Sequence, residues 1–177
     1  MHIFDTVLEL INMRSFSNLW YWIALAVTWS SASHWVLGVP FDMVLRARRR
    51  GGRAAEDLVT LTRVNVARLL MIGREGGMVL SVVASFVLTS LGVLGFGYHM
   101  EFAQAVFLMA FPLAFVGLLS LRAAARFEPL LENGVAPDAV AKMLARHRVS
   151  VQAVGMVAIL VTTMWGMLQN FSISVLG

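Results

Sequence analysis

The order of hydrophobic and polar positions divides the chain into four long apolar runs separated by polar segments. The first run, residues 17–39, contains no Asp, Glu, Lys or Arg. As a helix it would reach about 34 Å, slightly more than the ~30 Å hydrocarbon core of a bilayer. Three further runs follow at residues 78–98, 102–121 and 149–168. We therefore predict four transmembrane helices.

The polar segments around these runs also have helical periodicity. Residues 1–13 carry an apolar face opposite Asp5 and Glu9, which predicts an amphipathic N-terminal helix lying in the membrane interface. Residues 54–73 and 137–147 predict two further helices, with glycines at 73, 76 and 77 loosening the junction before the second run. The predicted fold is an all-α polytopic membrane protein, with residues 1–177 forming a single four-span domain.

Composition agrees with a membrane protein. Hydrophobic residues make up 59% of the chain and charged residues only 14%, whereas charged residues are about 25% of soluble domains. There is no cysteine, which excludes disulfides, thiolate metal sites and cysteine nucleophiles. The net charge of +4 does not indicate nucleic-acid binding, because the cations flank apolar runs as membrane-anchoring cations do.

The positions of the cations predict the topology. Residues 41–77 hold eight Arg and residues 122–148 hold four Arg and one Lys, while Arg14 is the only cation elsewhere. By the positive-inside rule both segments are cytoplasmic. Both termini are then expected on the outer, periplasmic side.

Small residues recur at four-residue spacing along the runs. The second run carries Gly77, Ser81, Ser85 and Thr89, and the fourth carries Ala158, Thr162 and Gly166. Such stripes allow membrane helices to pack closely. Packing within one chain explains them, and the alternative is that the stripe of the second run faces another subunit or lines a pore.

The first run contains the most suggestive polar chemistry. Its inner half carries Ser30, Ser31, Ser33 and His34, and an ionisable group within a span is costly and often marks a site. His34 has three interpretations: a hydrogen-bonded structural histidine, part of a proton or ion pathway, or a ligand. His147, at the inner mouth of the fourth run, is placed to approach it.

We find no pattern that indicates an enzyme. The sequence contains no Gly-x-Ser-x-Gly, no His-Glu-x-x-His and no paired carboxylates at one depth. No catalytic residue, cofactor or metal site is therefore predicted.

A dense basic cluster follows the first run, at Arg46, Arg48, Arg49, Arg50 and Arg53. Clusters of this kind bind anionic lipid headgroups, and they also serve as docking surfaces for soluble partners. Gly51-Gly52 lacks the Lys and Ser/Thr spacing of a phosphate-binding loop.

The stretch from Arg14 to Met43, RSFSNLWYWIALAVTWSSASHWVLGVPFDM, resembles a family of small multi-span proteins of alphaproteobacteria. Members of that family are often labelled a component of the iron–sulfur assembly complex SufBCD. The resemblance implies a bacterial inner membrane and association with a soluble complex.

Two functions remain open. In the first, the protein is a homo-oligomeric channel or transport protein whose small and polar residues face a pore. In the second, it is an accessory or scaffold subunit that docks a soluble complex on its basic cytoplasmic face.

Overall fold

The computed structural model describes the backbone of residues 15–176 and the side chains of residues 15–169 and of Phe171. The predicted N-terminal helix, residues 1–13, lies outside the described residues. After a 3₁₀ turn at Ser15–Ser17, the elements follow in this order: α1 Leu19–His34, β1 Trp35–Val36, β2 Val39–Pro40, α2 Phe41–Arg50, α3 Gly52–Gly92 with a π-helical extension Val93–Gly97, α4 Glu101–Glu132 and α5 Pro137–Leu176.

Three helices of the described part are long and apolar enough to cross a membrane: Gly52–Gly97, Glu101–Glu132 and Pro137–Gln169. This confirms an all-α fold with membrane-type helices. The first is 46 residues long, or about 69 Å. It is therefore much longer than a bilayer core, and it continues from its apolar run into a polar segment.

The predicted segments 54–73 and 137–147 are thus not separate helices but the first parts of α3 and α5. The three glycines between residues 73 and 77 do not break α3, because a helix can continue through glycine at a modest cost in stability. The helix start predicted at Pro137 is confirmed, and residues 98–100 separate α3 from α4 between the predicted second and third runs.

The first apolar run differs from its prediction. Helix α1 ends at His34 and is 16 residues long, which gives about 24 Å instead of 34 Å. Residues 35–40 instead form an antiparallel hairpin whose turn, Leu37-Gly38, has positive φ at both positions, 53° and 77°. Such two-residue turns match the twist of paired strands. The end of the apolar run therefore folds back instead of continuing the helix.

The hairpin leads into a packed core among the polar segments, residues 35–77 and 122–148, which we call the arginine-rich half. Val36 and Val39 of the hairpin are 1% and 0% exposed. They belong to one cluster with side chains from α2, α3, α4 and α5: Val44, Leu58, Leu131 and Leu144. Each such burial stabilises the fold by roughly 1.5–3 kcal/mol, which explains why these valines leave the helix.

The remaining described residues, 15–34, 78–121 and 149–169, form the apolar half. Here α1 packs antiparallel to α5 through glycines. A Cβ built on Gly155 would lie 2.7 Å from the Trp29 ring, and one built on Gly166 would lie 3.3 Å from Phe16. The stripe of the fourth run therefore packs within the chain, as predicted.

In the apolar half, a smaller share of α3 is buried than of α4 or α5. From Met78 to Val87 every residue is exposed. The helix approaches α4 on both sides of this stretch, where Gly73 faces Leu121 and Gly92 faces Phe107. The middle of the second run is thus free on every side in a single copy.

The close approach of α1 and α5 makes a prediction. Gly155→Ala should lower the midpoint of thermal unfolding in mild detergent, because the new methyl group meets the Trp29 ring, and overpacking costs about 1–3 kcal/mol. Gly117→Ala is the matched control: nothing lies within 4 Å of its Cβ position, and Ala stabilises a helix by about 0.5–1 kcal/mol over Gly. Equal midpoints for the two variants would contradict this packing.

Candidate functional site

The polar residues of the first run lie at the surface of α1. Ser30, Ser31 and His34 are exposed, and the Ser33 hydroxyl donates to the Ser30 carbonyl at 3.1 Å. The His34 ring contacts only the edge of its neighbour Trp35 among ring contacts in the described part, with centroids 5.9 Å apart. These groups do not converge on an enclosed site within the chain.

The polar stripe of the second run is also at the surface. Ser81, Ser85 and Thr89 are all exposed on α3. The structure therefore brings neither this stripe nor the α1 residues into the interior of the described bundle. A pore inside one chain would need them there.

The predicted meeting of His34 and His147 does not form a shared site. His147 is buried, and its Nε2 lies 3.2 Å from the Ser120 hydroxyl on α4. The neighbouring Arg148 instead reaches α1, where its Nε donates to the Ser33 carbonyl at 3.1 Å. This bond holds the C-terminal end of α1 beside the start of the fourth apolar run.

Next to Ser120 a cleft of about 350 Å³ opens where the two halves meet. We call it the junction cleft. It lies between the hairpin, α3 and the end of the apolar run in α4. Its lining comprises Trp35, Leu37, Gly38, Asn65, Arg68, Leu69, Ile72 and Ser120.

Asn65 fixes the wall of the junction cleft. Its Nδ2 donates to the Gly38 carbonyl at 3.3 Å and to the Leu61 carbonyl at 3.1 Å. The hairpin turn is thus attached to α3, and Asn65 acts within one chain.

Sequence reasoning missed the role of Arg68 and Ser120. The spacing of residues 65, 68, 69 and 72 at i, i+3, i+4 and i+7 was the available signal, since it puts them on one helical face.

The basic cluster occupies α2 and the start of α3. Arg46 pairs with Asp42 at 3.2 Å, and Arg48 donates to the Ala141 carbonyl at 3.2 Å. Arg49, Arg50 and Arg53 are exposed. Arg46, Arg49 and Arg50 line one pocket together with Asp42 and Leu45. We call the arginines of α2 and of the start of α3 the α2 basic surface.

The level of the α2 basic surface follows from its contacts with α5. The Phe41 ring lies 3.9 Å below the Arg148 guanidinium, whereas Arg48 reaches Ala141. Helix α2 therefore runs antiparallel to the start of α5. Ala141 precedes Arg148 by seven residues, which places Arg48 about 10 Å further from the apolar run.

A larger groove of about 450 Å³ lies between α4 and α5 in the apolar half. Its lining includes Phe107, Phe111, Phe115 and Val157, and none of its lining residues is polar. The groove offers hydrocarbon contact but no group that could orient a polar ligand or carry out a reaction.

At the opposite end of the apolar half, a buried glutamine joins three helices. Gln104 donates through Nε2 to the Gly95 carbonyl at 2.8 Å. Its Oε1 accepts from the Trp165 indole at 3.0 Å. Phe96 packs edge-on against this indole, with centroids 5.3 Å apart. The glutamine therefore has a structural role.

Comparison with protein-family models, curated proteins and solved structures finds no match for this chain.

The contacts of Gln104 make a second prediction. Gln104→Leu should lower the thermal unfolding midpoint in detergent, because the Trp165 N–H and the Gly95 carbonyl lose their partner in a buried place. Such a loss costs about 1–3 kcal/mol. Gln152→Leu is the control, since Gln152 is exposed on α5, and it should leave the midpoint unchanged. A neutral Gln104→Leu variant would show that the two bonds do not hold the helices together.

Proposed function

We propose that this chain is a non-enzymatic, multi-pass protein of a bacterial inner membrane, and that its α2 basic surface docks an acidic soluble partner in the cytoplasm. The proposal rests on the distance of that surface from the apolar half. Arg48 lies about 10 Å beyond the fourth apolar run, measured along α5. The contacts of Phe41 and Arg48 with α5 hold α2 in this position.

The topology of this proposal has four spans with both termini periplasmic. Three spans are the long apolar helices α3, α4 and α5. The evidence that α1 is the remaining span is that it runs along α5. Phe16 meets Gly166 at one end, and Arg148 binds the Ser33 carbonyl at the other. These contacts match both ends of the apolar run 149–168, so α1 lies at the level of the bilayer core although its helix is only about 24 Å long. A bilayer adapts to a short span by local thinning.

A soluble partner fits the α2 basic surface better than lipid headgroups do. The headgroup layer on each side of a bilayer is only about 5–8 Å thick, and charge interactions in physiological salt decay over about 8 Å. Arginines near residue 48 lie at or beyond that layer. The resemblance of residues 14–43 to a family labelled as a SufBCD component makes the soluble SufBCD complex the first partner to test.

The second candidate function is a homo-oligomeric channel or transport protein. One observation favours it: residues 78–87 of α3 are exposed on every side, including Ser81 and Ser85. In this arrangement α3 helices from several copies surround a central axis, and the hydroxyl groups line it. Helices in lipid associate through such small residues.

The topology can be tested by labelling single cysteines, because the chain contains none of its own. We expect Arg53→Cys and Arg146→Cys to react with a membrane-impermeant maleimide only when the cytoplasmic face is accessible. Leu19→Cys and Met100→Cys should react from the periplasmic side. Labelling of Leu19→Cys from the cytoplasmic side would exclude α1 as a span, and opposite sides for residues 53 and 146 would overturn the topology as a whole.

Docking can be measured with purified SufBCD complex and this protein in nanodiscs. Replacing Arg49, Arg50 and Arg53 together by Gln should weaken binding by about tenfold, since three exposed charge interactions of about 0.5 kcal/mol each are lost. The matched control replaces Arg122, Arg126 and Arg146 by Gln, which removes the same charge from the same half. Binding should then be retained.

The two candidate functions make different predictions for proteoliposomes. A docking protein should pass no K⁺, Na⁺, Cl⁻ or proton flux above that of empty vesicles. Flux that is lost in Ser81→Leu or Ser85→Leu would instead establish the channel. Absence of any binding to SufBCD, together with such flux, would overturn the docking proposal.

A further inference from the structure

The junction cleft combines one charged group, polar groups and an apolar wall at the boundary between the two halves. Arg68, Asn65 and Ser120 contribute the polar groups of its lining, and Trp35, Leu69 and Ile72 contribute apolar side chains. No acidic residue is part of the lining. Its chemistry is therefore that of a site for an amphiphile with a negative head.

Arg68 supplies the positive charge in the lining of this cleft, and its guanidinium can bind a ligand. It is exposed and makes no hydrogen bond or ion pair with any residue of the described part of the chain. Other arginines of the same half are engaged: Arg63 donates to the Leu131 carbonyl at 3.0 Å, and Arg74 pairs with Glu128 at 2.7 Å. The free guanidinium can donate two parallel hydrogen bonds to a phosphate.

The level of the cleft differs from that of the α2 basic surface. Ser120 lies at the end of the apolar run 102–121, and Ile72 faces the same cleft one turn after Arg68. Trp35 is 56% exposed at the mouth, and tryptophan is enriched where a membrane meets water. The cleft therefore begins at the end of the apolar run. Arg68 lies five residues before Gly73, which faces Leu121, so it is about 7.5 Å beyond that end and within a headgroup layer of about 5–8 Å. Arg48 lies about 10 Å beyond the boundary.

We propose that the junction cleft binds one anionic phospholipid, with its phosphate on Arg68 and the first part of its acyl chains against Trp35, Leu69 and Ile72. Basic pockets between membrane helices on the cytoplasmic side bind acidic headgroups in this way. A free phosphate ion would use only the polar groups and would leave the apolar wall uncovered, so the lipid is the ligand that fits the whole cleft. This inference does not depend on the docking function, which uses different arginines.

The test is native mass spectrometry of the intact protein in mild detergent, titrated with phosphatidylglycerol and, separately, with phosphatidylcholine. We expect one phosphatidylglycerol to bind preferentially. Arg68→Gln should weaken its binding by about fivefold, the effect of one cation near an anionic headgroup. Arg126→Gln is the matched control with the same charge change on an exposed residue of α4 outside the cleft, and it should bind as the unmodified protein does.

Two further measurements separate this proposal from simpler ones. Trp35→Ala should weaken both lipids, since it removes apolar wall without changing charge, and inorganic phosphate should not displace the bound phosphatidylglycerol. Displacement by phosphate would identify a free-anion site instead. Equal losses in Arg68→Gln and Arg126→Gln, or no loss in Arg68→Gln with unchanged thermal stability, would overturn the proposal.

Discussion

Leu58, Leu131 and Leu144 meet Val39 and Val44 in one dry core, with each side chain 0–2% exposed, and their packing determines how the chain leaves the apolar half. To bury Val39, residues 35–40 must turn back as a hairpin, so α1 ends at His34. To bury Val44, α2 must lie along the bundle instead of along a membrane surface. Arg46, Arg49 and Arg50 are then exposed on α2, whereas Arg48 donates to the Ala141 carbonyl of α5.

Two sets of polar contacts between helices lie near the two ends of the apolar half. Gln104 and Trp165 bind each other and the Gly95 carbonyl at one end, and Arg148 binds the Ser33 carbonyl at the other. Unpaired polar groups are costly in hydrocarbon, and the groove between α4 and α5 is lined by apolar side chains alone. The groove therefore offers no hydrophilic path, and the exposed hydroxyl groups of Ser81 and Ser85 on α3 lie on the outside of one copy.

Hydropathy predicted the apolar runs 78–98, 102–121 and 149–168 well, because a long uncharged stretch depends only on local composition. It could not locate the end of α1, since a valine that faces lipid and a valine that fills a protein core have the same hydropathy. Gly73 and its neighbours suggested a break that α3 does not have, because neighbouring contacts sustain the helix there. Arg68 was overlooked since its importance comes from Ser120 and Trp35, which are distant in sequence and reach it only through the fold.

The two sets of arginines differ in their surroundings more than in their depth. Gly73 of α3 faces Leu121 at the end of an apolar run, and Arg68 precedes Gly73 by five residues, or about 7.5 Å. Helix α2 runs antiparallel to α5, which puts Arg48 about 10 Å beyond the fourth run. Arg68 borders a cleft that extends to Trp35 and Ser120, whereas Arg49 and Arg50 are exposed beside Asp42 and Leu45. A ligand at Arg68 would therefore also contact apolar side chains, and a ligand at Arg49 and Arg50 would contact mainly charged ones.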